Sequence, residues 1–174
     1  IAAVIDQVLS VLPAHYRLHW YELERVLGQG GFGITYLAHD HNLDLQVAIK
    51  EYLPIDVAQR RSDASVRPRT QPLDERYRWG LGRFIEEART LARFDHPNIV
   101  RVQSVFEAND TAYMVMRFEA GENLGTLLDR RGTLPESIAA WSNWSVSIRT
   151  PTIPASFVPW KCKTFCGWCA PRQR

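Results

Sequence analysis

The alternation of apolar and polar positions is clearest over residues 16–53, where three strands are predicted. Trp20–Leu27 runs into a cluster of glycines, Gly33–Ala38 is rich in β-branched and aromatic residues, and Leu45–Tyr52 alternates. Asp40, His41 and Asn42 supply the turn between the second and third strands. A polar stretch follows, Pro54–Trp79, with six arginines (Arg60, Arg61, Arg67, Arg69, Arg76 and Arg78), and it reads as a solvated, partly mobile loop. Phe84, Ala88 and Leu91 then recur at i, i+4 and i+7, predicting an amphipathic helix over Leu81–Phe94 that Pro97 cannot continue. Two further strands, Ile99–Glu107 and Ala112–Glu119, flank an Asn109-Asp110 turn, and Gly121 opens a short helix, Leu124–Arg131.

After Pro135 this periodicity fails, and the composition changes with it. From Ser137 to Arg174 there is no Asp or Glu, while Arg149, Lys161, Lys163, Arg172 and Arg174 are basic. All three cysteines and four of the six tryptophans lie in the same segment. Prolines at 151, 154 and 159 interrupt any element, so the tail offers no face to bury and is expected to be poorly ordered. The organisation expected is an N-terminal extension over 1–17, a folded lobe over 18–134 and a tail over 135–174. Ile1–Leu12 is apolar but lacks a basic leader and a cleavage site, and reads as a short helix, not a signal peptide.

The glycines carry the first chemical signal. Gly28-Gln29-Gly30-Gly31-Phe32-Gly33 fits G-x-G-x-x-G, a weak pattern by itself. A dinucleotide fold would need a helix directly after it, whereas Ile34-Thr35-Tyr36-Leu37 favours a strand. No Gly-Lys-Ser/Thr follows, which excludes a Walker A loop. The glycines therefore sit in the bend of a β-hairpin, where backbone N–H groups can approach phosphate oxygens without a Cβ in the way, and Phe32 at the tip can cover them.

Val47-Ala48-Ile49-Lys50 comes next. Alone it would read as an ordinary strand with a surface lysine. After a glycine hairpin, the shared face of Ala48 and Lys50 suits ATP, with a small residue against the base and an ammonium near the α- and β-phosphates. Such a lysine needs a carboxylate to hold it. At about 100° per residue, Glu87 lies roughly 60° from Phe84 on the flank of the apolar stripe, whereas Glu86 lies roughly 160° away and points to solvent. Glu87 is the expected partner of Lys50.

With glycine loop, lysine and helix glutamate in this order, the chain resembles the Hanks-type serine/threonine protein kinases of bacteria. The stretches that carry the likeness are Leu27–Ala38, Val47–Pro54, Arg83–Val102 and Tyr113–Gly121. The fold implied is α+β: a kinase-like N-lobe with a five-stranded antiparallel sheet and one regulatory helix. The resemblance further implies that Met116 is the gatekeeper and that Arg117–Glu119, including Phe118, form the hinge whose backbone bonds adenine. It implies that Leu27 and Ala48 sandwich the base, and that Gly28, Gly30, Gly31, Phe32 and Gly33 line the phosphate side. Thr35 stands where the family usually has valine, which slightly reduces apolar contact with adenine. ATP is the implied ligand, with Mg2+ in an intact domain, and a protein Ser or Thr hydroxyl the acceptor.

One departure bears on activity. Neither H-R-D nor D-F-G occurs in the chain, so no catalytic aspartate and no metal ligand is assigned. The C-lobe is expected to be absent, and a frameshift or misread gene end would account for the acid-free tail. The alternative is a non-catalytic, pseudokinase-like module that binds nucleotide or a partner. Cys162, Cys166 and Cys169 match a radical S-adenosylmethionine spacing formally, but five residues follow them and no His occurs after His96, so they are read as accidental. A net charge of +2 gives no reason to expect nucleic acid, and no apolar run approaches the roughly 20 residues of a membrane span. A cytoplasmic location is expected.

Overall fold

The computed structural model describes residues 11–97, 99–121 and 130. The described residues fall almost wholly in one compact unit, Ile1–Phe118; the other unit, Glu119–Arg174, lies almost wholly outside them. The helix expected at Leu124–Arg131, the tail and its cysteines fall there, as do residues 1–10 of the expected opening helix. Val11 and Leu12 are not helical.

Six antiparallel strands form the sheet: β1 (Arg17–Leu18), β2 (Tyr21–Gly30), β3 (Gly33–Asp40) and β4 (Leu45–Tyr52), then β8 (Thr111–Arg117) and β7 (Val102–Ala108). β1 is a two-residue addition to the five strands expected, paired to β2. The turn after β3 is set by the buried Asp40 carboxylate, which accepts the N–H groups of Asn42 (2.9 Å) and Leu43 (3.1 Å). Asn109 and Asp110, both at positive φ, close the β7–β8 hairpin as anticipated.

Register divides the sheet into two faces. Val47, Ile49 and Glu51 pair with Ala38, Tyr36 and Ile34, and all six are buried. Ala48, Lys50 and Tyr52 lie on the opposite face, opposite Leu37, Thr35 and Gly33 on one side, with Met116 and Met114 opposite Ala48 and Lys50 on the other. The helix α1 (Asp74–Leu91) covers this second face, burying Tyr77, Phe84 and Ala88. Tyr52 fits between Tyr77 and Phe84, at 5.5 and 5.6 Å between ring centroids. In β8 six of seven residues are buried, so the sheet is covered on both sides and alternation disappears there. Each aliphatic side chain so buried, such as Ile34, Ile49 or Met114, contributes about 1.5–3 kcal/mol.

What covers the first face corrects the reading of Pro54–Trp79 as a solvated loop. The segment folds into a second hairpin, β5 (Ala58–Arg60) with β6 (Val66–Pro68), then a 3-10 turn (Gln71–Leu73) and the opening of α1. Val57, Ala58 and Val66 join the core. α1 thus starts at Asp74, seven residues before the expected Leu81, and ends at Leu91, three before Phe94. Pro72 precedes it, and Asp74 and Glu75 complement the dipole of its first turn. Gly80, within the helix, lets Tyr52 approach: a Cβ there would lie 2.1 Å from the Tyr52 hydroxyl.

A buried polar cluster joins the hairpin to the sheet. Glu51 is fully buried, and its carboxylate accepts the hydroxyls of Tyr36 (3.0 Å) and Tyr113 (2.7 Å) and a guanidinium N–H of Arg60. Burial, reinforced by the Glu51 charge, pushes the phenols of Tyr36 and Tyr113 far above their ordinary range. Arg60, whose side chain is 4% exposed, also donates to the Ala64 carbonyl (2.8 Å). The N-terminal segment contributes too, because the Leu12 N–H donates to the Tyr36 hydroxyl (3.2 Å).

Candidate functional site

The glycine hairpin is built by β2 and β3. Gly30 and Gly33 are register partners, leaving Gly31 and Phe32 as the two-residue turn, and a bulge interrupts pairing between Val26 and Gly28, at Leu27. The glycines divide into two kinds. At Gly33 (φ +154°) a Cβ would lie 1.9 Å from the Glu51 carbonyl oxygen, so packing itself demands glycine. At Gly28, Gly30 and Gly31 a Cβ would meet no protein atom within 4 Å. Packing does not require glycine at those three positions. Open backbone there leaves room for something outside the protein, and successive N–H groups suit an anion. Phe32 at the tip is 51% exposed.

Lys50 faces this hairpin. It is the register partner of Thr35 on β3 and of Met114 on β8, and its ammonium lies 5.8 Å from the centre of the Phe84 ring. Burial depresses its pKa, and the charge of Glu87 opposes that shift. Glu87 is half-buried on the inner flank of α1, while Glu86 is exposed and pairs with Arg83 at 2.9 Å. The helix therefore turns Glu87 toward the lysine and Glu86 outward. Ala48 is opposite Met116, which is 7% exposed and ends the buried run of β8. The chain leaves the sheet after Arg117, with Phe118 half-buried and Glu119 exposed.

Glycine turn, lysine and Met116 therefore converge on one side of the sheet. The family model described as protein kinase domain matches residues 21–148. The chain belongs to the protein kinase family. Among curated kinases it is 32% identical over 139 residues to the serine/threonine-protein kinase PknA of Corynebacterium glutamicum, covering 77% of this chain and 25% of that protein. It is 34% identical over 114 residues to PrkC of Bacillus subtilis, covering 66% of this chain and 15% of that protein. It thus spans a quarter or less of these two relatives. Among solved structures, PpkA-294 in its apo form aligns with a TM-score of 0.70 and 41% identity, over 78% of this chain and 47% of that one. The kinase domain of Mycobacterium tuberculosis PknI shares the fold at a TM-score of 0.57 and 22% identity, over 79% of this chain and 48% of that one.

ATP and Mg2+ are the family's reactants. The glycine cradle and Lys50 fit the triphosphate end of ATP, because they offer open backbone donors and a cation on one side. Among the described residues no cluster of His, Cys, Asp or Glu is suited to a metal ion, and the sequence contains no D-F-G. No helix among the described residues is long and apolar enough to cross a membrane. Reading the sequence did not identify Glu51 and Arg60. The available signal was an acid continuing the apolar row Val47, Ile49, since a carboxylate on a core-facing position needs a buried counter-charge.

Proposed function

We propose that this chain binds ATP as the nucleotide-gripping lobe of a serine/threonine protein kinase. Gly28, Gly30, Gly31 and Gly33 offer backbone N–H groups to the phosphates, with Phe32 as their cover. Lys50 bonds the α- and β-phosphate oxygens, and Glu87 holds the ammonium in place. Leu27 and Ala48 enclose the base, Thr35 borders it in place of the usual valine, Met116 closes the back of the pocket, and the backbone of Arg117–Glu119 holds the adenine edge. The observation that carries this reading is the set of glycines whose missing Cβ no protein atom explains, facing a half-buried lysine.

The reaction of the family is transfer of the ATP γ-phosphate to a protein Ser or Thr hydroxyl. The residues of this chain position the nucleotide but do not include the aspartate that orients the acceptor hydroxyl. Phosphoryl transfer depends mostly on positioning and charge stabilisation, and losing one well-placed group costs about 10²–10³ in rate. The chain alone is therefore inactive as a kinase. The test is incubation with labelled ATP, Mg2+ or Mn2+ and a basic protein substrate, with Lys50→Met as control. No Lys50-dependent label in Ser or Thr is expected, and its appearance would mean that another carboxylate of the chain serves the acceptor.

A further inference from the structure

The hairpin β5–β6 touches the glycine loop through the segment that leads into it. Ile55 N–H donates to the Gly31 carbonyl and Leu53 N–H to the Phe32 carbonyl, both at 3.2 Å, so the turn is stitched at Gly31 to the start of the 54–79 segment and at Phe32 to Leu53, the residue just before it. That start is fixed in turn. Arg69, just after β6, donates its Nε–H to the Ile55 carbonyl (2.8 Å) and its backbone N–H to the Val57 carbonyl (2.9 Å). Arg60 ties β5 to the hairpin's own turn at Ala64 and to Glu51, the residue next to Lys50. The exposed tip of a glycine hairpin is otherwise among the freest pieces of backbone in a protein.

We propose that the 54–69 segment is a brace that pre-orders the phosphate-gripping turn, with Arg60 and Arg69 as positioning residues for ATP. The proposal rests on the ATP reading above. A turn already held at both carbonyls loses less conformational freedom when its N–H groups close on phosphate, which strengthens binding without any contact between the brace and the nucleotide. The brace acts on the phosphate end alone. Adenosine, which lacks phosphates, does not benefit from it.

Titration calorimetry of the full chain with ATP and with adenosine tests this. Arg69→Ala removes the bond to Ile55 at the rim of the fold, and Arg60→Met removes the buried anchor. Because losing a buried charge partner can unfold the chain, Arg69→Ala serves as the decisive variant if Arg60→Met does not fold, and Arg60→Lys tests rescue by a conserved charge. ATP affinity is expected to fall about five- to tenfold, the scale of one hydrogen bond, with adenosine affinity unchanged and Arg60→Lys recovering part of the loss. Unchanged ATP affinity in folded Arg69→Ala, or equal losses for ATP and adenosine, would overturn the proposal. Amide hydrogen exchange without nucleotide separates this from the functional reading. Leu53 and Ile55 should lose protection in Arg69→Ala, and unchanged protection overturns the brace, whereas a wild-type chain that binds no ATP overturns the functional reading.

Discussion

Replacing Arg60 by methionine removes one half of an ion pair that has almost no access to water. Glu51 is 0% and the Arg60 side chain 4% exposed. Breaking a buried pair from one side costs about 3–5 kcal/mol, because the remaining charge is left in a low-dielectric interior. Here Tyr36 and Tyr113 still donate to Glu51 after the change, which places the loss near the lower end, about 3 kcal/mol. Total stabilities run at about 5–15 kcal/mol, so this is a large fraction. Urea unfolding followed by tryptophan fluorescence should show a lower midpoint at unchanged slope. Glu51→Gln alone strands the guanidinium and should cost a similar amount, while the double variant should recover about 1–3 kcal/mol of the summed losses. A loss below about 1 kcal/mol in Arg60→Met, a value typical of a surface pair, would refute the claim that the 54–79 segment is locked to the sheet by buried charge.

The two classes of glycine should separate experimentally. Gly33→Ala, with its Cβ directed at the Glu51 carbonyl, should lower both the melting temperature and ATP affinity; Gly30→Ala and Gly31→Ala should change stability by no more than about 0.5–1 kcal/mol while weakening ATP. Lys50 supplies a pH signature. Its pKa is lowered in the free protein, and bound phosphate favours the ammonium, so ATP binding should take up protons on the alkaline side and weaken as pH rises through that lowered value. Calorimetry in two buffers of different ionisation enthalpy measures the uptake, and Lys50→Met should abolish it.

Local pattern made the strands of the sheet readable. The period of two in Leu45–Tyr52 placed Ala48 and Lys50 on one face, and the offset of Glu87 from Phe84 turned it toward that face, as the register and burial of the fold have them. Three things escaped. The β5–β6 hairpin has strands of three residues each, too short for a period, and its arginines look solvated until Glu51 is seen to be buried. The first turns of α1 contain Tyr77 as their one buried side chain and continue into Gly80, whose role depends on a Tyr52 ring distant in sequence. β1 is a two-residue pairing that no pattern marks. In each case the deciding partner is non-local, and a linear reading sees only one side of the contact.

Whether the glycine turn and Lys50 grip ATP is decided by equilibrium titration of ATP into the wild-type chain and into Lys50→Met. Saturable one-to-one binding is expected of the wild type. A folded Lys50→Met chain should bind about 10- to 100-fold more weakly, the worth of a charge-assisted hydrogen bond to phosphate. Equal affinity in the two proteins, or no saturable binding by the wild type, would rule out the ATP grip.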